Sequence, residues 1–87
     1  MKMISQDGIY EVPYETSILE LGCELVPQKV VYYYNEAFGK PIKFAEYNTV
    51  AERAYAMGLL HYTCENDERI FQFPSQDIIE NMIKGEL

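Results

Sequence analysis

The sequence predicts an α+β fold in which an antiparallel β-meander of about five strands packs against one long helix, followed by a short C-terminal strand and helix. Up to Tyr47 the chain is rich in β-branched and aromatic residues that alternate with polar ones. After Asn48 the apolar residues recur at helical spacing instead. A chain of 87 residues lies near the lower end of what a single core supports, so we expect one domain over residues 1–87.

The first two strands flank Asp7-Gly8, a dipeptide typical of tight hairpins. We expect a strand over residues 1–5 and its antiparallel partner over residues 9–12. Pro13 cannot donate a backbone hydrogen bond, so it ends this second strand or confines it to a sheet edge.

The third strand is predicted within the stretch SILELGCELV, where leucines and Cys23 alternate with acidic residues. One side of this strand would be buried, and the other would expose Glu20 and Glu24. Pro27 ends the run.

The fourth and fifth strands are predicted over residues 29–35 and 40–47, joined by EAFG. Strand alternation puts Tyr32 and Tyr34 on one face and Tyr33 on the other. We expect the face with Tyr32 and Tyr34 to meet the long helix and Tyr33 to remain half exposed.

Thr49 and Glu52 have the spacing of a capping box, which predicts the start of the long helix. The helix face expected to pack on the sheet contains Ala51, Ala54, Tyr55, Gly58, Leu59 and Tyr62. Leu60, bordered by Met57, would then lie on the exposed face.

The segment RIFQF predicts a short strand, and Ser75 is a good N-cap for a last helix that Gly85 ends. The apolar residues of this helix form a narrow stripe suited to docking on another surface: Ile78, Ile79, Met82 and Ile83.

Composition limits the function classes. The net charge of −7 disfavours nucleic acid, whose binding depends on basic groups that displace counterions. For the same reason the consecutive tyrosines are better read as sheet residues than as a base-stacking platform. Two cysteines and no recognisable signal peptide suggest a cytoplasmic protein, and no apolar run reaches the roughly 20 residues that cross a bilayer.

The chain offers little that resembles catalytic or metal-binding chemistry. Its single histidine, His61, has helical spacing to Cys64, and Cys23 could approach both. A structural zinc site takes four ligands, so a carboxylate would have to complete the set. Packing is the simpler role for these side chains, and we predict no catalytic, cofactor or metal residues.

Interaction surfaces are the more plausible sites. An acidic strand face, the exposed side of the tyrosine strand and the two helix faces could form one, with the candidate residues Glu20, Glu24, Tyr33, Met57, Leu60, Ile79 and Met82. The small core also favours a homodimer.

Three segments, MISQDG, FAEYNTVAERA and FQFPSQ, occur in that order. In this order they resemble a group of small proteins, without an assigned activity, from Firmicutes and their phages. The positions that match are Ile4, Ser5, Gln6, Asp7, Glu46, Tyr47, Thr49, Glu52, Arg53, Ala54, Phe73 and Pro74. Ala45 stands where the group usually has Gly, one residue is added between Thr49 and Glu52, and the segment after the long helix is shortened. The resemblance implies a phage-related context and no reaction.

We therefore expect a non-enzymatic protein that acts by binding a protein partner. Two alternatives remain open. One is a homo-oligomer that binds a small molecule as a sponge or sensor, and the other is an acidic mimic of nucleic-acid charge that inhibits a nucleic-acid-binding protein.

Overall fold

A computed structural model describes residues 1–15, 17–21, 29–34 and 39–85, without the side chains of Ile18, Glu20 and Leu21. The chain contains, in order, β1 (Lys2–Ile4), β2 (Glu11–Pro13), β3 (Ile18–Leu21), β4 (Val30–Tyr34), β5 (Ile42–Glu46), α1 (Val50–Glu65), β6 (Ile70–Gln72) and α2 (Gln76–Gly85). The α+β class is confirmed.

The strands form two three-stranded sheets rather than one meander. The first sheet has the order β2-β1-β6, and β6 runs parallel to β1. Two parallel neighbouring strands require a long connection, and along the chain β3 to β5 and α1 all come between β1 and β6. The first five strands therefore pair antiparallel, as predicted, but they do not form one clear meander, because they are divided between two sheets.

The first hairpin is confirmed. β1 and β2 are antiparallel, with Met3 opposite Val12. Gly8 has φ 78° in the turn between them, a conformation that glycine adopts without strain. Pro13 lies in the edge strand β2, as expected from its missing N–H group.

The second sheet has the order β3-β4-β5 and is antiparallel throughout, as the sequence predicts for these strands. The buried face of β4 is the opposite of the predicted one. Tyr33 is only 5% exposed, and its ring centroid lies 5.5 Å from that of Phe44, whereas Tyr32 and Tyr34 are half-buried. Alternation divides a strand into two faces, but in VVYYY both faces are apolar and either could turn inward.

Helix α1 starts as predicted, with the Thr49 hydroxyl accepting a hydrogen bond from the Glu52 N–H at 3.1 Å. Its buried side is not the predicted one. Glu52, Ala56 and Leu60 are buried, while the expected core residues Ala54 and Gly58 are exposed and Tyr62 is 66% exposed. Ala51 is exposed too, and Tyr55 and Leu59 are half-buried.

Helix α2 turns part of its apolar stripe inward. Ile79 is buried and Ile83 packs against the core, but Ile78 and Met82 remain exposed. Ser75 caps the helix by accepting a hydrogen bond from the Ile78 N–H at 3.3 Å.

One hydrophobic cluster connects both sheets and both helices. Its aromatic centre is Phe44 of β5, which contacts Phe73 edge-on at a centroid distance of 6.0 Å. Phe73 in turn meets Phe71 of β6 at 5.2 Å. Edge-to-face pairs of this kind stabilise a core beyond their buried area.

In the part of the chain that the structure describes, neither helix has the length and apolar character needed to span a membrane.

Candidate functional site

The turn after β1 is built around the Ser5 side chain. The buried Ser5 hydroxyl donates to the Asp7 carboxylate at 2.6 Å and accepts from the Tyr10 N–H at 3.0 Å. The Ile9 N–H donates to the same carboxylate at 3.0 Å. These hydrogen bonds, that of Ser5 above all, lower the pKa of Asp7.

Gln6, the next residue, joins the two sheets. Its backbone N–H donates to the Phe44 carbonyl at 2.8 Å, and its side-chain oxygen accepts from the Glu46 N–H at 3.0 Å. The amide nitrogen of Gln6 donates to the Pro74 carbonyl at 3.1 Å. Gln6 therefore occupies the outer edge of β5, where another strand could otherwise pair.

The Pro74 carbonyl also accepts a hydrogen bond from the Tyr47 hydroxyl at 2.8 Å. Tyr47 is 2% exposed, and burial raises the pKa of its hydroxyl. One carbonyl thus connects the turn after β1, the end of β5 and the segment before α2.

A second polar group links the starts of the two helices. The Glu52 carboxylate accepts from the Thr49 hydroxyl at 2.9 Å and from the Gln76 amide nitrogen at 2.7 Å. That same nitrogen donates to Glu80 at 2.8 Å, while the Gln76 oxygen accepts from the Asn48 N–H at 2.9 Å. These bonds stabilise a Glu52 side chain that lies on the buried side of α1.

This network is structural in character. Among the described residues, no buried side-chain nitrogen or oxygen lacks a hydrogen-bond partner. A site that recognises a polar ligand normally has donors or acceptors that are free to bind the ligand. In this network the donors and acceptors bind one another. Binding therefore has to be sought on other surfaces.

His61 and Cys64 lie three positions apart near the end of α1. His61 is exposed, and no described residue donates to or accepts from its ring. Cys64 is half-buried next to the Tyr14 hydroxyl, whose pKa is raised by burial and by this thiol. No three His, Cys, Asp or Glu side chains of the described part are close enough together to hold a metal ion. Cys23 lies outside the described residues.

Three residues of the predicted interaction surface are buried in the core. Leu60 and Ile79 are 0% exposed and Tyr33 is 5% exposed. For Leu60 and Tyr33 the inward face of the element is not the expected one, because both faces contain apolar residues. Ile79 is buried because the apolar stripe of α2 docks on the core of the same chain.

Of the remaining candidates, Met57 is half-buried against the core and Met82 is 40% exposed. The Glu20 side chain and the whole of Glu24 lie outside the described residues. The predicted residues that the structure describes therefore do not form one exposed surface.

A groove of about 850 Å³ lies where the first sheet meets the end of α1. Its apolar wall includes Val12, Pro13 and Ile70, and sequence periodicity gave no sign of it because its residues come from four separate segments. Ile70 is 58% exposed although it belongs to a strand. The hydrophobic side chain thus offers a contact surface beside the groove.

Charged residues surround this groove. Lys2 pairs with Glu11 at 3.0 Å, and the N-terminal amine pairs with Glu15. Asp67, Glu68 and Arg69 also line the groove and make no ion pair within the described residues. Two unpaired carboxylates against one guanidinium leave the groove slightly acidic.

Beside the groove, β6 is an edge strand with free backbone groups. The Lys2 N–H donates to the Arg69 carbonyl and the Phe73 N–H donates to the Ile4 carbonyl. In a parallel ladder the alternate residues, Ile70 and Gln72, then direct their N–H and C=O groups away from β1. No backbone hydrogen bond from the described residues covers them.

Two of the other edge strands, β2 and β5, are protected. β2 contains Pro13, whose carbonyl accepts from the Ser17 hydroxyl, and β5 is covered by Gln6. Within the described ranges, no comparable group covers the edge of β6.

No protein-family profile, no curated protein and no solved structure matches this chain. The segments MISQDG, FAEYNTVAERA and FQFPSQ supply the residues of these hydrogen bonds, among them Ser5, Gln6, Tyr47, Thr49 and Glu52. These motifs, far apart in the chain, meet in the fold and connect its sheets and helices.

Proposed function

We propose that this protein acts without catalysis, by binding an extended segment of a protein partner along the free edge of β6. The observation that carries this proposal is the combination of outward-directed backbone groups at Ile70 and Gln72 with an exposed Ile70 side chain beside a groove.

An added strand gains affinity from main-chain hydrogen bonds and specificity from the side chains that it places on the sheet. Ile70 would pack against an apolar side chain of the bound segment, and the groove would take a neighbouring one. Strand addition therefore fits a site that combines the edge of β6 with a groove beside it.

Charge defines the expected partner further. Asp67 and Glu68 face the groove without ion pairs among the described residues, and the whole chain carries a net charge of −7. A partner segment with a lysine or arginine next to its apolar residues would be attracted to this rim.

The non-enzymatic part of the proposal is supported by the described polar residues. The Glu52 and Glu80 carboxylates are held by hydrogen bonds within the network, and among the described residues none forms a hydrogen bond that would orient His61 as a base. A phage-related context belongs to the proposal as well, and it is supported by the sequence motifs alone.

A small molecule is the second candidate occupant, because the groove volume lies within the roughly 300–1,000 Å³ typical of ligand pockets. A thermal-shift screen of small molecules tests it. A compound that raises the melting temperature of the unmodified protein but not of a groove variant would favour this reading.

Selection from a random peptide library tests strand addition. We expect the selected peptides to combine apolar and basic residues, and Ile70→Glu to weaken their binding by at least roughly tenfold. Ile9→Glu is the matched control, since it makes the same change at an isoleucine that is 73% exposed and outside the groove.

Gln72→Pro separates strand addition from simple groove contact. Proline removes an outward-directed N–H and is tolerated on a strand edge. Binding should fall in this variant while the melting temperature changes little. Peptides that bind Ile70→Glu and Ile9→Glu equally well would contradict the proposal.

A further inference from the structure

The outer side of α1, formed by Ala54, Gly58 and Tyr62, is exposed in the part of the chain that the structure describes. From Ala54 to Cys64 the helix contains no Asp, Glu, Lys or Arg. Glu52, Ala56 and Leu60 are buried in the core, and Tyr55, Met57 and Leu59 pack partly against it. A helix that is apolar on all sides is normally packed on all sides.

Gly58 lies at the middle of this outer side, and the fold does not require a glycine there. A Cβ atom built on Gly58 would meet nothing within 4 Å. Glycine inside a helix costs about 1 kcal/mol relative to alanine, so its presence here has no stabilising reason within one copy of the chain. A missing side chain does permit a neighbouring helix to approach closely.

We propose that a second copy of the chain packs on this face, with the two α1 helices antiparallel around a two-fold axis at Gly58. This proposal concerns a different surface from the edge of β6 and does not depend on it. Ala54 and Tyr62 are equally spaced before and after Gly58. The two-fold axis therefore places the protruding Tyr62 ring of each copy, which is 66% exposed, over the small Ala54 side chain of the other.

Charges at the ends of the face fit the same arrangement. Ala51 and Glu65 are also equally spaced about Gly58, and Lys84 of α2 lines the same small cavity as Ala51. Neither Lys84 nor Glu65 makes an ion pair within the described residues. Around the axis, Lys84 of one copy approaches Glu65 of the other, and this happens twice.

The net charge of −7 also favours this surface over others for self-association. Two copies with this charge repel each other, and the repulsion is weakest where acidic residues are few. Between Ala54 and Cys64 the helix contains none, and Glu65 at the end of the face lies opposite a lysine. A contact between two helices of 16 residues, each about 24 Å long, is smaller than a standard interface of roughly 800 Å² per partner. The dimer should therefore be weak and concentration-dependent.

Sedimentation velocity of the full chain, from roughly 1 μM to 1 mM, tests the proposal, since these are the dissociation constants expected of a weak contact. Gly58→Glu places two carboxylates against each other at the axis, and we expect it to weaken dimerisation at least roughly tenfold. Its thermal unfolding at low concentration should not be worse than that of the unmodified chain, because glutamate is a better helix former than glycine. Ile9→Glu adds the same charge away from α1 and should dimerise normally.

Charge reversal tests the orientation of the two helices. Lys84→Glu and Glu65→Lys should each weaken the dimer, and the double variant should restore it. Lys40→Glu, which reverses a lysine in the turn before β5, is the control. The proposal would be overturned if the chain stayed monomeric at roughly 1 mM, or if Gly58→Glu did not weaken the dimer. It would also be overturned if the double variant dimerised as weakly as either single variant.

Discussion

The side of α1 that faces the core can be tested by two substitutions with opposite expected effects. Leu60 is 0% exposed and Tyr62 is 66% exposed. Replacing a fully buried leucine by alanine removes the transfer free energy of its methyl groups and leaves a cavity, which together cost about 2–5 kcal/mol. Tyr62→Ala removes an exposed side chain and should change the free energy of unfolding by less than about 0.5 kcal/mol.

Urea unfolding followed by circular dichroism measures both changes, and an unchanged m-value verifies that each native state is intact. In a domain of this size a loss of 1 kcal/mol lowers the melting temperature by roughly 4–8 °C, so Leu60→Ala should lose at least about 8 °C. Low protein concentration keeps any dimer dissociated. Should Leu60→Ala fail to fold, Leu60→Met, which keeps the side-chain volume, should remain folded at a cost below about 1.5 kcal/mol.

Leu59→Ala is the matched control, because it makes the identical change one position earlier, where the leucine is half-buried. Its loss should fall between those of the other two variants. If Tyr62→Ala destabilised the protein as much as Leu60→Ala, the opposite side of α1 would face the core and the reasoning would be refuted.

Two further predictions concern the polar network. Gln6→Ala removes two side-chain hydrogen bonds, to Glu46 and Pro74, and should lower the free energy of unfolding by about 1–3 kcal/mol in urea titrations. Gln72→Ala is the control: it removes an exposed amide with one marginal contact at 3.5 Å and should cost less than about 0.5 kcal/mol. Equal losses of stability in the two variants would contradict the bridging role of Gln6. Tyr47→Phe should reduce the loss of stability at alkaline pH. Because burial raises the pKa of Tyr47, the unfolded chain releases the hydroxyl proton at a lower pH than the folded chain does. The contribution of Tyr47 to stability is therefore present below about pH 10 and falls as the pH rises towards the folded-state pKa. Urea titrations between about pH 9 and 11 measure how steeply the free energy of unfolding falls with pH. In Tyr47→Phe this slope should become smaller but not vanish, since burial also raises the pKa of Tyr14. An unchanged slope would show that Tyr47 does not contribute.

Local features of the fold were predictable from neighbouring residues. The Asp7-Gly8 turn, the Thr49 cap of α1 and the Ser75 cap of α2 each depend on groups within a few positions of one another. The pairing of β4 with β5 also followed from a short connection. In all these cases the chemistry that decides the conformation is contained in the segment itself.

The candidate site was less predictable. Of the predicted interaction residues, Leu60, Ile79 and Tyr33 are buried, and the groove is lined by residues that periodicity does not connect. The edge of β6 becomes visible only once β6 is known to pair with β1 on its other side. A strand of three residues contains no signal for which edge stays free.

The sequence by itself determined the α+β class, most element positions and the caps, because propensity, period and capping act over a few residues. Only the tertiary structure decided which faces turn inward. α1 could have buried the side with Ala54 and Gly58, but the side with Glu52 is the one for which the fold supplies a partner: Gln76, far along the chain, donates to the Glu52 carboxylate and makes its burial tolerable. The side with Ala54 and Gly58 consequently stays exposed, and this outcome depends on a contact that no local pattern contains.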